Sequence, residues 1–225
     1  MAELRQAGSL VMKNEKLSLP PEPILFVDTE GNGHSPPDLI EISILKSNLE
    51  AKKKEDIYNW LIKPPNPINR IVTKIHGLKN SDVENCPVWD EIKDEVHSHL
   101  NGAWLIAHNA KVDYNIIKMH IPEWEPAGII DTMKLAKHFL PEATSYSLEN
   151  LINFTKLHFH KSKSFYRDQS NSFHRASYDA KATSKLFSYL LSKSGFRNWS
   201  EVCEVCQVNI SKKNKPILPQ QGELW

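Results

Sequence analysis

Cysteines and long apolar segments are scarce in this chain of 225 residues. Its three cysteines form an odd set, unlike the paired framework of a secreted, disulfide-rich domain. No apolar run approaches the roughly 20 residues that a membrane-spanning helix needs, and the charged residues 1–23 lack the apolar centre of a signal peptide. We therefore expect a cytoplasmic protein that does not engage a membrane.

An excess of charge of either sign is also missing, because 28 lysines and arginines face 27 aspartates and glutamates. This balance provides no general attraction for nucleic acid, so any such affinity must come from local patches or from bound metal ions. The composition is 40% hydrophobic, which supports a folded core and argues against wholesale disorder. The length suits one α/β domain with short additions.

The spacing of Cys203 and Cys206 matches one half of a zinc-binding pattern. No second pair of ligands lies near it in the sequence, however. Two helical thiols one turn apart explain the same spacing, and we favour that interpretation.

Three short strands are predicted in the first part of the chain. Residues 24–28 (ILFVD) form an apolar run, and residues 38–46 (DLIEISILK) alternate side chains as a half-buried strand does. Residues 55–63 (EDIYNWLIK) complete the set. Short or polar links between the three indicate an antiparallel meander.

Helices alternate with short strands in the rest of the chain. Val88, Ile92, Val96 and Leu100 lie four residues apart, on one face of a helix that ends at Gly102. Further strands are predicted at 103–108 and 128–131, and further helices at 111–120, 131–140, 147–154 and 176–193. The fold class is therefore α/β: a mixed five-stranded sheet with an antiparallel start, then parallel strands, and helices packed on its faces.

Carboxylates recur at strand ends and helix starts in this layout. Asp28 and Glu30 lie two residues apart at the end of the first strand, so their side chains point to the same side. Asp113 opens a helix directly after the fourth predicted strand, and Asp179 lies early in the last long helix. His174 precedes Asp179 by five residues. Ligand sites in open α/β sheets favour the carboxyl ends of strands, so these groups can form one cluster.

A cluster of carboxylates needs cations, since like charges in one site raise each other's pKa. Oxygen-rich sites suit Mg²⁺ or Mn²⁺ rather than zinc, and two such ions about 3.5–4 Å apart assist in-line attack on a phosphodiester. A histidine can then take the proton of the attacking water. Each residue alone has a plainer explanation, as a turn, a helix cap or a solvated surface position. The ordered combination favours the metal-dependent interpretation.

The order of four motifs, DTEGNG, IHGL, AHNAKVD and HRASYD, resembles the DnaQ-like 3′–5′ exonucleases of the DEDDh type. The resemblance covers roughly residues 24–191. Within that family, the segments DTMKLAKHFLP and HRASYDAKAT are similar to exodeoxyribonuclease X and to the proofreading epsilon subunit of bacterial DNA polymerase III.

The resemblance implies a ribonuclease-H-like fold, with an exonuclease domain at 24–195 between an N-terminal arm (1–23) and a C-terminal helix and tail (196–225). It implies hydrolysis from the 3′ end of DNA, single-stranded or frayed, by a two-metal mechanism that releases nucleoside 5′-monophosphates. Two Mg²⁺ or Mn²⁺ ions are the implied cofactors. A role in DNA repair or end trimming is expected from the similarity to exodeoxyribonuclease X.

The same resemblance implies roles for individual residues. The metal ligands would be Asp28, Glu30, Asp113 and Asp179, with His174 as general base. The terminal 3′ nucleotide would be held around Thr29, His76 and Asn109. Gly31 and Asn32 replace the family's usual pair of threonines, and the free backbone and amide donor there predict a looser pocket.

The segment 156–167 combines cations with aromatic rings, which suits phosphates and stacked bases of a single strand. Its predicted contacts are Lys161, Lys163, Phe165 and Arg167. A solvated flexible loop explains the same composition, and both interpretations stay open.

Residues Gln221–Trp225 resemble the Gln-x-x-Leu-aromatic pentapeptide with which bacterial replication proteins bind the sliding clamp. Leu224 and Trp225 would be the two apolar anchors in a groove of the clamp. Short motifs of this kind also occur by chance.

Three functions compete with a free-standing DNA exonuclease. The same five catalytic residues serve an exoribonuclease equally well. A noncatalytic module that binds 3′ ends, or a replication-associated adaptor, would not need all five. A proofreading subunit is the third alternative.

Overall fold

A computed structural model describes residues 17–47, 49, 55–157 and 173–210. The strands in chain order are β1 Ile24–Gly31, β2 Leu39–Lys46, β3 Asp56–Leu61, β4 Trp104–Ala107 and β5 Gly128–Asp131. The helices are α1 Arg70–His76, α2 Asn80–Val83, α3 Trp89–Leu100, α4 Lys111–His120, α5 Thr132–Phe139, α6 Leu148–Phe154, α7 Ala176–Ser194 and α8 Trp199–Cys206.

The five strands form one sheet in the order β3-β2-β1-β4-β5. β1 pairs antiparallel with β2, and β2 pairs antiparallel with β3. β1 pairs parallel with β4, and β4 pairs parallel with β5. The predicted α/β class and mixed sheet are therefore confirmed, with β1 at the centre.

Helices cover both faces of the sheet because the buried strands are apolar on both sides. On β1, Phe26 packs into a core formed with α5, α6, α7 and α8. Its neighbours Leu25 and Val27 point to the opposite face, into a second core formed with α3 and α4. No helix in the described ranges is long and apolar enough to cross a membrane.

β2 differs from the predicted half-buried strand, because all of it except Lys46 is buried. α7 packs over the side that carries Glu41 and Ser43, and both polar groups are bonded inside the fold. Glu41 pairs with Arg175, and the Ser43 hydroxyl donates to the carbonyl oxygen of Tyr58 at 3.3 Å. The polar side chains that alternate with apolar ones along β2 therefore have partners inside the protein and do not face solvent.

Two short helices, α1 and α2, were not predicted. α1 begins after Asn69, whose side chain accepts a hydrogen bond from the backbone N–H of Ile71, and it ends at Gly77, where φ is 80°. The two helices bury Val72 and Val83 in a small apolar cluster. They are too short for the helical periodicity to show in the sequence.

The described part of the predicted N-terminal arm packs against the domain, with Leu17 and Leu19 in contact with the main core. α8 is the helix predicted for the C-terminal part, and it packs into the same core. Residues 1–16 and 211–225 lie outside the described ranges. The division into arm, domain and tail stays a prediction.

Cys203 and Cys206 lie one turn apart in α8, which is the arrangement we favoured over a zinc site. Both are free thiols. In the described part of the chain, the one cluster of potential metal ligands contains no cysteine.

Replacement of Phe187 by alanine should lower the free energy of unfolding by about 3–5 kcal/mol. Phe187 is fully buried in α7, with its ring 5.7 Å from that of Phe26 in an edge-to-face contact. The truncation would leave a cavity between α7 and the sheet. Urea unfolding followed by circular dichroism measures the change.

The matched control is Phe154→Ala on α6, where the same side chain is 46% exposed. Its cost should be about 1 kcal/mol or less, because surface substitutions rarely exceed that range. An equal loss of unfolding free energy at both positions would contradict the central place of α7 in the core.

Candidate active site

Three carboxylates from distant parts of the chain meet at the end of the central strand. Asp28 and Glu30 project from the same side of β1, and Asp179 lies in the first turn of α7. One oxygen of each lies within 4.8 Å of the others. The predicted convergence of Asp28, Glu30 and Asp179 is thus present in the fold.

Asp113 joins this site from the first turn of α4. The hydroxyl of Thr29, between the two β1 carboxylates, donates a hydrogen bond of 2.9 Å to Asp113 Oδ1. The parallel pairing of β1 with β4 places the start of α4 beside the end of β1. Asp113 lies outside the tight group of three but lines the same cavity.

The cavity has a volume of about 380 Å³, which is in the range of small-ligand sites. It contains all four carboxylates together with His174. Its other lining residues are Thr29, His108, Asn109, Val112, Met133, Ser147, Leu148 and Glu149. The cleft therefore brings together the five residues predicted to be catalytic, at the carboxyl edge of the sheet.

Burial and mutual repulsion keep these carboxylates easy to protonate. Burial raises the pKa of Asp28 and of Glu30 well above the usual range, and the charge of Asp179 raises both further. Burial also raises the pKa of Asp113 and of Asp179 to about 7. The site is thus electrostatically strained when its carboxylates are charged and nothing neutralises them.

The donor set fits a hard divalent cation. Asp179 Oδ2 accepts a hydrogen bond of 2.8 Å from the backbone N–H of His174. Its other oxygen is buried and has no hydrogen-bond partner among the described residues. Asp28, Glu30 and Asp179 together form an all-carboxylate group of the type that binds Mg²⁺ or Mn²⁺.

His174 lies at the turn before α7 in a left-handed backbone conformation, with φ at 65°. Few residues other than glycine adopt this region, and functional sites are where such strain is found. The hydrogen bond from its own N–H to Asp179 stabilises the turn. His174 is thereby tied to one of the carboxylates that it accompanies.

Asn109 also has a left-handed backbone, with φ at 64°, and lines the cleft. Its N–H donates to Asp131 Oδ1 at 3.1 Å, and the same oxygen accepts from the N–H of Met133 at the start of α5. Asp131 was not among the predicted site residues. Its position at a strand end before a helix was the available signal.

His108 is a second residue that the sequence analysis missed. Its Nε2 lies 2.8 Å from the carbonyl oxygen of Tyr146, and its Nδ1 lies 2.8 Å from the hydroxyl of Thr132. Since a carbonyl can only accept, the proton lies on Nε2. Burial lowers the pKa of His108, so the neutral ring joins β4, α5 and the loop before α6.

Three predicted substrate residues are not among those that line the cleft. Asn32 is fully buried, and its amide donates to Asp38 Oδ2 at 2.7 Å. This corrects the expectation that Asn32 offers a donor to the substrate. His76 is also buried, its Nδ1 accepts from the N–H of Leu78, and burial lowers its pKa to about 4. Gly31 ends β1 without lining the cavity.

Thr29 and Asn109 line the cleft as expected for substrate residues. The four predicted contacts of the basic segment, Lys161, Lys163, Phe165 and Arg167, lie outside the described residues. The pentapeptide Gln221–Trp225 also lies outside them.

Comparison with known proteins identifies the family. The RNase T family model, described as an exonuclease, matches residues 25–187. This range contains every residue of the carboxylate cluster and His174. The chain therefore belongs to this exonuclease family, which agrees with the DnaQ-like resemblance of its motifs.

Two relatives illustrate the range of similar sequences. A PolC-type DNA polymerase III of Caldanaerobacter subterraneus subsp. tengcongensis is 29% identical over 218 residues, which cover 92% of this chain and 14% of the polymerase. The 3′-5′ exonuclease DinG of Bacillus subtilis is 27% identical over 177 residues, which cover 76% of this chain and 17% of DinG. The chain thus spans less than a fifth of the length of either relative.

Solved structures show the same fold. Exonuclease X, solved in complex with 5′ overhanging duplex DNA, has a TM-score of 0.59 at 24% identity and covers 77% of this chain and 93% of its own. A 3′-exonuclease solved in specific recognition of the 3′ end of a histone mRNA stem-loop has a TM-score of 0.61 at 12% identity, covering 90% of this chain and 96% of its own. The ribonuclease-H-like fold is confirmed.

Without divalent metal, the protein should lose stability as the pH rises from about 4 to about 7. Asp113 and Asp179 have a pKa of about 7 when folded, above the value of about 3.9 in an unfolded chain. The folded state therefore holds these protons more tightly, and that advantage is complete below pH 4 and is lost by pH 7. Thermal unfolding in EDTA across pH 4–8 measures the loss.

Asp179→Asn should flatten this pH dependence and unfold at least about 3 °C above the wild type at pH 8 in EDTA. The substitution removes a buried charge but keeps an oxygen for the N–H of His174. Asp94→Asn, at an exposed position of α3, is the control and should follow the wild type. A wild-type curve that rises towards pH 8 would contradict the raised pKa values.

Proposed function

We propose that this protein is a metal-dependent 3′–5′ exonuclease that hydrolyses DNA from its 3′ end and releases nucleoside 5′-monophosphates. The convergence of Asp28, Glu30 and Asp179 within 4.8 Å supports this more than any other single observation. Membership of the exonuclease family supplies the reaction class. Single-stranded or frayed ends are the proposed substrate.

The proposed metal sites combine the four carboxylates of the cleft in the way that the family resemblance implies. Asp28, Glu30 and Asp179 would hold one Mg²⁺ or Mn²⁺ ion, and Asp28 together with Asp113 would hold a second. Bound divalent ions supply Lewis acidity and lower the pKa of coordinated water. Thr29 keeps Asp113 in place through its hydrogen bond of 2.9 Å.

His174 is the proposed general base, which takes the proton of the attacking water. A neutral imidazole suits this role because its ordinary pKa lies near neutrality. The residue lines the cleft, and its backbone N–H donates to Asp179, so the turn that carries the proposed base is bonded to a proposed metal ligand. Proton transfer and metal ligation are therefore expected to depend on the same turn.

Thr29 and Asn109 are the proposed contacts of the terminal nucleotide, because both line the cleft beside the carboxylates. His76 and Gly31 do not line the cleft, and their proposed role is to support the end of β1. The basic segment with Lys161, Lys163, Phe165 and Arg167 is proposed to bind the strand upstream of the 3′ end.

DNA is favoured over RNA because the similar sequences include a DNA polymerase III and a 3′-5′ exonuclease. RNA trimming is the second candidate, since the same five residues would serve an exoribonuclease equally well.

Asp28→Asn should lower the exonuclease rate by about 10²–10⁴-fold, because a metal site contributes several kcal/mol to the transition state. The assay follows 5′-labelled single-stranded DNA and the matching RNA on gels with Mg²⁺, Mn²⁺ or EDTA. A ladder that shortens from the 3′ end only with metal is the expected result, with DNA degraded faster.

Asp94→Asn makes the same chemical change at an exposed position and should retain the wild-type rate. Cleavage by Asp28→Asn at the wild-type rate, or cleavage by the wild type in EDTA, would overturn the proposed mechanism. Tight binding of 3′ ends by the wild type without any cleavage would instead favour the noncatalytic adaptor.

A sliding clamp is the proposed protein partner, through residues Gln221–Trp225. Replacement of Leu224 and Trp225 by alanine should abolish retention on an immobilised bacterial clamp, because these side chains are the apolar anchors. Nuclease activity should not change. Retention of the doubly substituted protein on the clamp would exclude this segment as the binding site.

A further inference from the structure

The start of α7 lacks a cap of its own, although Asp179 lies in its first turn. The N-cap residue, Arg175, makes no capping hydrogen bond with its side chain. The first N–H groups of a helix have no partner within the helix and must find one elsewhere. The N–H of Ala176 finds it in Glu41 Oε2, at 3.3 Å, on strand β2.

Glu41 is the fully buried centre of a network of donors. Arg175 Nε donates to its Oε2 at 2.9 Å, and the second nitrogen, Nη2, donates to its Oε1 at 3.1 Å. Asn59 on β3 donates to Oε1 at 3.2 Å. Both oxygens are therefore occupied by protein donors, so Glu41 is not available as a metal ligand.

The network adjoins the carboxylate cluster on two sides. Glu41 lies directly opposite Glu30 in the antiparallel register of β1 and β2. Arg175 follows His174 in the chain, and its carbonyl oxygen accepts the N–H of Asp179 at 3.0 Å. A shift of Arg175 would thus move the proposed base and one proposed metal ligand together.

We propose that Glu41 and Arg175 form a positioning pair that anchors the start of α7 to the sheet and holds Asp179 and His174 in register with Asp28 and Glu30. The bidentate contact fixes both the distance and the orientation of the arginine. The helix start is capped by the same carboxylate. This inference deepens the proposed function, and the expected effect of the pair on catalysis rests on that function.

Stability alone does not account for this pair. A buried ion pair is often no more stabilising than well-packed apolar residues of similar volume. The Glu41–Arg175 bonds join β2 to a residue that lies in the chain between the proposed base, His174, and the proposed metal ligand, Asp179. Apolar contacts would not orient the start of α7 in this way, because they are not directional. Outer partners of this kind commonly affect metal affinity and activity by 10–100-fold.

The test compares the wild type with Glu41→Gln, Arg175→Lys and the double variant Glu41→Gln/Arg175→Gln. Lysine keeps the charge but lacks the planar fork of arginine. The double variant leaves no unpaired buried charge, so it tests the geometry even where a single variant folds poorly. Val202→Ala, which truncates a buried side chain of α8, is the control for general destabilisation.

Binding of Mn²⁺, followed by electron paramagnetic resonance, is the first readout. All three variants should bind Mn²⁺ about 10–100-fold more weakly, and Val202→Ala should bind it like the wild type. Hydrogen exchange by mass spectrometry should be faster in the peptide containing residues 174–180 of the variants only. In the nuclease assay, kcat should fall about 10–100-fold while KM for the 3′ end changes less than about threefold.

If the double variant keeps the Mn²⁺ affinity and the hydrogen-exchange rates of the wild type, the positioning role is overturned. An equal loss of Mn²⁺ affinity in Val202→Ala would also overturn it, because the pair would then act only through overall stability. A wild type without nuclease activity would refute the proposed function, and Mn²⁺ binding and hydrogen exchange would still decide on the positioning pair.

Discussion

The crowding of carboxylates at one largely desolvated site is the constraint on which the rest of this structure depends. Asp28, Glu30 and Asp179 lie within 4.8 Å of one another at the end of a central strand, and Asp113 lines the same cavity. Burial first, and the neighbouring like charges second, raise the pKa of these carboxylates, so the charged cluster opposes its own assembly. The fold must therefore hold these side chains together against this cost.

Each acidic segment is held by a hydrogen bond to a remote part of the chain. Thr29 bonds to Asp113, so β1 fixes the start of α4. Asp131 bonds to the N–H of Asn109, so β5 fixes the loop before α4. The start of α7 is held by Glu41 of β2. Three different strands thus hold three short segments, which makes the sheet the frame of the site.

The fold was predictable where local pattern and packing agree. The strand at 24–28 buries its apolar run, and α3 buries Ile92, Val96 and Leu100, which the four-residue spacing placed on one helix face. Prediction failed at α1 and α2, which are too short to show a period, and at β2, where polar residues face partners and not water. Asn32 misled for a related reason: an amide suited to a substrate is equally suited to a tight turn.

The amino-acid sequence by itself identified the side chains of the candidate site, because Asp28 and Glu30, then Asp113, then His174 and Asp179 each stand in a short motif that resembles those of the family. Only the tertiary structure decided which side chains line the cleft and which support the lining residues through hydrogen bonds. Glu41 and Arg175 are 134 positions apart, and His108 meets Tyr146 across 38. No local pattern connects such partners, since their contact exists only after the sheet and helices have packed.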